Sequence, residues 1–547
     1  MQGQNSFDAV FVGAGVNSLV GAALLAQAGW GVCVLERAEV PGGCIRTSSD
    51  LTLPGFTHEL MACWHPLFTG SAAYAELKGS LDARGVEYLN TDLPTAMLSG
   101  DGNSSFVWTD QNAQVAELER HARGDGEAWR AMFDAVTSNA PLTFGLLGTE
   151  LWSPAGARLA LGAQRRLGRR GVLEFAGSTL ASARDFLTTT FASEQARGLL
   201  APWVLHTGLG PDQAVSGFMV AVIACALQLG GMPVPRGGGI RLVDALAGIV
   251  LDAGGEVRTV AEVERIEVAA GRARGVRLAS GERVRATRAV IASVTPGALY
   301  GRLLDPGRVP EAVAAAARRF RHGRGEMQIH LALGEPPRWR GDRAADLART
   351  PIVHVTPGLD GVSRAVNEAE RGLLPAEATI VAGQPCTLDP DRAPQGSSIL
   401  WLQLQELPVG RVRGDAAGEI DTAAGVWTDE LREAYADRIC ERLGESIENL
   451  GAATLARVVL SPADLERLNV NLVGGDIYGG SCALDQNLLW RPFPQAPGHR
   501  TVIDGLWHIG ASTHPGPGLG AGSGYLVAKA LTAPRPMSRV LRRLGRA

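Results

Sequence analysis

Asp8-Ala9-Val10-Phe11-Val12-Gly13-Ala14-Gly15-Val16-Asn17-Ser18-Leu19-Val20 is the stretch on which the fold turns. Ala9 to Val12 is a short apolar run of buried-strand type. Gly13-Ala14-Gly15 is a turn, and Val16, Leu19, Val20, Ala23 and Leu24 recur at helical spacing until Gly29 stops the pattern. A second apolar run, Val32 to Leu35, follows and ends on Glu36. Strand, glycine turn, helix and strand in this order form a cradle for an adenine dinucleotide. Gly13 permits the tight turn, Gly15 lets a pyrophosphate approach the backbone, and the positive end of the helix holds the negative charge. Glu36 is placed to accept from a ribose hydroxyl. Ser18 stands where the fingerprint has its third glycine. Serine is nearly as small, and Gly21 and Ala22 keep that helix face slim, so close packing on the strand survives. The competing reading is a plain glycine turn in some other α/β domain.

At 547 residues, 46% hydrophobic and 20% charged, the chain is long enough for two or three subdomains. A net charge of -4 gives no electrostatic reason to expect nucleic acid. Met1 to Phe7 lacks the basic start and apolar core of a secretory signal. The seven scattered cysteines form no Cys-x-x-Cys and read as free thiols in a reducing cytoplasm. Gln213 to Pro235 is uncharged over a length that would cross a bilayer, yet its glycines, prolines and Gln228 suit a buried helix leading into a loop. Arg158 to Gly171 mixes leucines with five arginines, which fits either a membrane surface or a solvated helix face.

Further motifs lie in register with the cradle. Pro41-Gly42-Gly43-Cys44-Ile45-Arg46-Thr47 follows Glu36-Arg37, and Leu53 to Leu60 and Trp64 to Phe68 come next. Pro235 to Ile240, a helix pattern over Leu242 to Leu251 and strand runs from Glu256 to Ala292 form a second block. Gly474 to Gly480, Arg491 to Pro494 and Gly505 to Gly524 form a third. With these the chain resembles the large FAD-dependent family that contains phytoene desaturases, carotenoid ketolases and, more distantly, monoamine oxidases. The resemblance implies an α/β fold: a Rossmann-like FAD-binding domain, discontinuous over 1–91, 231–297 and 466–547, with an inserted α+β substrate domain. The insertion comprises a helical first part, 92–230, and a second part, 298–465. Within the latter, Met327 to Leu333 and Ser398 to Leu404 alternate like half-buried strands, Thr428 to Leu443 reads as an amphipathic helix, and Asp389 to Pro394 is a turn.

As FAD contacts the resemblance implies Val12, Gly13, Ala14, Gly15, Asn17, Ser18, Glu36, Arg37, Gly42, Gly43 and Thr47. Val263 would clamp the adenine through its backbone, and Gly510, Gly518, Leu519, Gly520 and Ala521 would pass beside the flavin. It further implies dehydrogenation of an apolar, isoprenoid-like substrate, with a hydride leaving for the flavin and a proton leaving the neighbouring carbon. His65 and His514 are the candidate base and pocket polar group, because both fall in segments expected near the ring. Related chains serve as ketolases, isomerases, amine oxidases and prenyl-binding escort proteins without a flavin, and fold alone does not choose among them.

No second Gly-x-Gly-x-x-Gly follows a strand, so a built-in NADPH site is not expected, and oxygen or a quinone becomes the expected electron acceptor. No His-Glu-x-x-His metal cluster and no Gly-x-Ser-x-Gly nucleophile elbow occurs. The inserted segments are rich in Leu, Val and Ala, and aromatics make up 5% of the chain. That composition favours an apolar small molecule over a charged amine. The expected location is the cytoplasm, with a peripheral membrane contact through Arg158 to Gly171.

Overall fold

The computed structural model describes residues 5–533. The outer limits of the first and last expected segments, residues 1 and 547, and the reading of Met1 to Gln4 lie outside them. Taken along the chain, the first segment supplies β1 (Ser6–Val12), α1 (Val16–Gln27) and β2 (Val32–Leu35). An excursion then contributes β3 (Thr95–Leu98), β4 (Ser104–Val107), α2 (Gln111–Glu119), α3 (Asp125–Ser138), α4 (Pro154–Leu180) and α5 (Ser216–Gly230). The chain returns with α6 (Ile240–Asp252), β5 (Glu256–Arg258), β6 (Val263–Ala269), β7 (Arg272–Leu278) and β8 (Arg283–Ser293). A second excursion holds β9 (Gly325–Leu333), β10 (Ile352–Val355), β11 (Ile380–Gly383), β12 (Ser398–Leu407), α7 (Asp429–Ser446) and β13 (Thr454–Leu460). The last return is β14 (Leu506–Ile509) and α8 (Gly522–Thr532).

Two seven-stranded sheets result. In the first, strands run in the order β6-β7-β8-β1-β2-β5, with β14 beside β8. The β8, β1, β2, β5 and β14 pairings are parallel. Strands buried on both faces suit a parallel sheet, and Val32 to Leu35 is buried throughout. Helix α1 packs against α8 at very short range, since a Cβ on Gly524 would stand 1.8 Å from the Asn17 carbonyl oxygen. That close approach brings the last segment of the chain onto the first.

The second sheet runs β13-β9-β12-β11-β10-β3-β4. Its β3–β4 hairpin comes from the first excursion and joins β10 in parallel, so the two insertions fold as one unit. Residues 92–230, expected to be helical, thus open on a hairpin. β9 and β12 also differ from the half-buried strands expected of their alternation, because every residue in both is buried. Met327, Ile329, Leu331, Leu402 and Leu404 face one core, against α7. The opposite, polar face is covered by the dinucleotide domain and forms the floor of a cavity. Helix α5 occupies the uncharged stretch, and no helix of the described residues is long and apolar enough to cross a membrane.

Candidate functional site

One cavity of about 630 Å³ extends from the glycine turn of β1 to the polar floor of the second sheet. Its nucleotide end is built by the turns after β1 and β2. The N–H of Gly42 donates to the Ala14 carbonyl at 2.9 Å, and Gly15 and Gly42 form a parallel bridge, which ties the two turns together. Gly42 has φ +120, and a Cβ there would stand 2.3 Å from the Ile45 carbonyl oxygen, so no other residue fits. Helix α1 starts at Gly15 with no side-chain cap and no acid in its first turn. Its free N–H groups and positive end therefore face the cavity unneutralised, as an anion site requires. Glu36 sits at the end of β2, its carboxylate accepting from Ala14 N–H at 2.8 Å and Ala38 N–H at 2.9 Å. Each oxygen keeps a further lone pair for a hydroxyl. The residues present fit a bound adenine dinucleotide.

Of the expected contacts, Val12, Gly13, Ala14, Gly15, Asn17, Glu36, Arg37, Gly42, Gly43, Val263, Gly510, Gly518 and Leu519 line the cavity. Four others are absent from its walls. Ser18 is fully buried inside α1, where it serves the close packing of that helix. Thr47 is turned away: its hydroxyl donates to Glu59 and accepts from the Ile240 N–H at 3.0 Å, capping α6. Gly520 lies beside the Leu67 backbone, and Ala521, at φ 54, is the residue before α8. Cys44 and Cys63 also line the cavity, and all seven cysteines are free.

Neither His65 nor His514 reaches the cavity, although Trp64 and Pro66 on either side of His65 do. The His65 ring points to Tyr88, whose hydroxyl lies 3.0 Å from Nδ1. Burial lowers its pKa to about 3. His514 is buried behind His499, whose Nε2 donates to the His514 carbonyl at 2.7 Å, and burial lowers the His514 pKa to about 4. The structure therefore corrects both assignments: the segments approach the site while these two rings point into packed interior.

The far end of the cavity is an apolar chamber walled by Trp64, Trp203, Ile223, Leu227, Ile352 and Trp401. Its polar groups are few. His206 stacks on Trp203 with ring centroids 4.5 Å apart and meets His354 Nε2 at 3.1 Å; burial lowers its pKa to about 3. From the floor rise Glu326 on β9 and Gln403 and Gln405 on β12. The Glu326 carboxyl is 1% exposed, accepts from Gln403 Nε2 at 2.8 Å and takes a second short bond from the Gln328 amide. Burial pushes its pKa up to about 7 against the pull of those two bonds. Sequence reasoning missed this carboxyl. The available signal was the polar set Glu326, Gln328 and His330 at every second position of an otherwise apolar strand.

A second buried cluster lies at the turn expected over Asp389 to Pro394. Arg392, 1% exposed, donates to Glu59 at 3.1 Å, Asp389 at 3.0 Å and the Pro235 carbonyl at 2.7 Å. Glu59 also accepts from the Gly239 N–H at 2.8 Å, so the cluster anchors the start of α6 behind the cradle. Among the described residues no group of three or more His, Cys, Asp or Glu is placed to hold a metal ion.

Comparison with known proteins places this geometry. The family model for flavin containing amine oxidoreductases matches residues 19–453. Pyridine nucleotide-disulfide oxidoreductase domain-containing protein 2 of Mus musculus is 26% identical over 548 residues, covering 95% of this chain and 92% of its own length. A limonene dehydrogenase polypeptide of Castellaniella defragrans is 26% identical over 545 residues, covering 95% and 94%. A neurosporene-forming phytoene desaturase of Rhodobacter capsulatus is 25% identical over 552 residues, covering 96% and 94%.

Proposed function

Because the chain belongs to the family of flavin-containing amine oxidoreductases, with FAD as its cofactor, we propose that it dehydrogenates a carbon–carbon bond of an apolar, isoprenoid-like substrate. The observation that carries the proposal is the chamber itself. Its walls are tryptophan, isoleucine and leucine, it is continuous with the cradle, and three of its four polar groups sit on one floor. An apolar chain gains about 25 cal/mol per Å² of surface it buries there and requires no charged partner. Two relatives over nearly the whole chain, named for a limonene and a phytoene oxidation, support the same substrate class.

In this reading the uncapped start of α1 and the Gly42-Gly43 turn hold the pyrophosphate, and Glu36 holds the ribose. When bound, FAD accepts the hydride. The chain itself orients the substrate between the tryptophans, excludes water from the chamber and receives the proton. Oxygen or a quinone then takes up the electrons, and NADPH does not bleach the flavin. We place the protein in the cytoplasm, with α4 against an anionic bilayer: this helix has no buried residue, and Arg158, Arg165, Arg166, Arg169 and Arg170 are all exposed beside Leu161 and Leu173. Co-sedimentation with anionic vesicles, lost when those arginines become glutamate, tests the placement.

Oxidation of an amine is the second reading, since Glu326 is a carboxyl that an ammonium group would pair with. An anaerobic screen of flavin bleaching separates them. Bleaching by limonene or phytoene, with a product lighter by one H2, supports the dehydrogenase. Bleaching by amines alone sinks it, a gain of oxygen indicates a ketolase, and unchanged mass an isomerase. A colourless protein that stays so with added FAD indicates an escort function.

A further inference from the structure

We propose that Glu326 is the group that accepts the substrate proton during dehydrogenation, held in position by Gln403 and Gln328. The inference rests on the dehydrogenase reading above. Removal of H2 from a saturated C–C bond takes two hydrogens in different forms. One C–H bond breaks with its electron pair, which leaves as hydride to the oxidised flavin. The neighbouring C–H bond breaks to give the new C=C bond, and its proton needs an acceptor in the chamber. The substrate is oxidised by two electrons, the flavin is reduced by two, and the carboxylate becomes a carboxylic acid.

Among the described residues the cavity is lined by three carboxyls. Glu36 is engaged by the cradle backbone, and Glu262 lies beside Val263 and pairs with Arg302 at 3.4 Å. Glu326 alone rises from the chamber floor. The other candidates there fail on chemistry. His206 meets His354 ring to ring, and burial makes its protonated form unstable. The Tyr478 hydroxyl already donates to the Leu205 carbonyl at 2.8 Å and, with its pKa raised well above its ordinary value, is not ionised. Burial raises the Cys44 thiol to about 11.

The surroundings of Glu326 suit proton transfer. On its own strand stand Gln328 and, just before it, Arg324, the latter directed to the Gln405 and Leu209 carbonyls. Gln403 and Gln405 face it from β12, Cys44 from the turn after β2, and Tyr478 from the segment before β14. No cation bonds the carboxyl, so nothing locks it in the charged form. A base whose conjugate acid titrates near the working pH both takes a proton and releases it. Two amide donors leave each oxygen a lone pair and fix the direction in which it points.

The test uses the FAD-loaded protein and its Glu326→Gln and Glu326→Asp variants, mixed anaerobically with limonene and with phytoene. Flavin bleaching in Glu326→Gln is expected to slow by about 10²-fold or more, with FAD content and hydrocarbon Kd unchanged. The wild-type rate should rise with pH through about 7, and this dependence should vanish in Glu326→Gln and persist at reduced rate in Glu326→Asp. Independently of turnover, infrared spectra of the wild type should show a protonated carboxyl that titrates near neutral pH and is missing from Glu326→Gln. Bleaching of Glu326→Gln at the wild-type rate, or an infrared titration unchanged by the substitution, overturns the inference. If hydrocarbons leave the wild-type flavin oxidised and only amines bleach it, the substrate reading fails instead, and the proton-accepting role for a C–C dehydrogenation falls with it, while the infrared titration still reports the ionisation of Glu326.

Discussion

Replacing Glu36 by alanine is the perturbation whose size the structure fixes best. The carboxylate, 9% exposed, does two things at once: it accepts from the buried Ala14 N–H at 2.8 Å and from the Ala38 N–H at 2.9 Å, and it presents its remaining lone pairs to the cavity. Ala38 is partly exposed, so its N–H turns to water at little cost, whereas Ala14 is fully buried. Leaving a buried donor without its acceptor costs about 1–3 kcal/mol, and in the apoprotein water entering the cavity moves the loss to the low end of that range. With FAD bound, water is displaced and the ribose hydroxyl also loses its partner. A further loss of about 1–3 kcal/mol corresponds to a rise in Kd of about 5- to 150-fold. Glu36→Gln should fall between, because one amide oxygen still accepts while the NH2 group opposes the second N–H. Titration of apoprotein by flavin fluorescence gives Kd, and urea denaturation of apoprotein gives the separate stability term. An FAD Kd within about twofold of wild type in Glu36→Ala would refute the role of this carboxylate in the cradle.

Arg392→Met should destabilise the fold by about 3–5 kcal/mol, since it strands Glu59 and Asp389 as unpaired buried acids. Adding Glu59→Gln and Asp389→Asn should recover most of that loss in urea denaturation; no recovery would show that packing, not charge, is what Arg392 supplies. Acid should unfold the apoprotein early. Burial lowers the pKa of His58, His508 and His514 to about 4, and of His65, His206 and His330 to about 3. Between the ordinary histidine value of about 6.5 and about 4 the unfolded chain therefore binds more protons than the folded one, and stability falls as pH falls. Glu326 and Glu406, raised to about 7, hold protons in the folded state over part of that window and reduce the slope without reversing it. Each net proton is worth about 1.4 kcal/mol per pH unit, and urea midpoints that match at about pH 5 and pH 7 would contradict the argument.

What the chain reveals before folding follows from which forces act locally. The turn at Gly13 to Gly15, the helix after it and the acid at Glu36 are legible because strand period, helix period and backbone sterics all operate over a short stretch of chain. The alternation of β9 and β12 is legible for the same reason, but its consequence is not. A polar face normally meets water, and here it meets the dinucleotide domain, so Glu326, Gln403 and Gln405 become the floor of a chamber instead of a surface. Glu326 and Gln403 are far apart in the chain and are brought together by strand pairing, which no local pattern encodes. His65 shows the complementary failure. Its neighbours Trp64 and Pro66 line the cavity, so the motif locates the segment, yet side chains at successive positions point in different directions and the ring turns to Tyr88. Thr47 and Arg392 follow the same rule: both lie in stretches that carry the resemblance, and both spend their hydrogen bonds on the α6 start. Proximity to a cofactor motif thus predicts a residue's segment, while the direction of its side chain is set by partners that arrive from elsewhere. The polar residue to seek in such a chain is therefore the one that interrupts an apolar strand of the inserted domain, because burying it without a role would cost free energy that the fold has no local reason to spend.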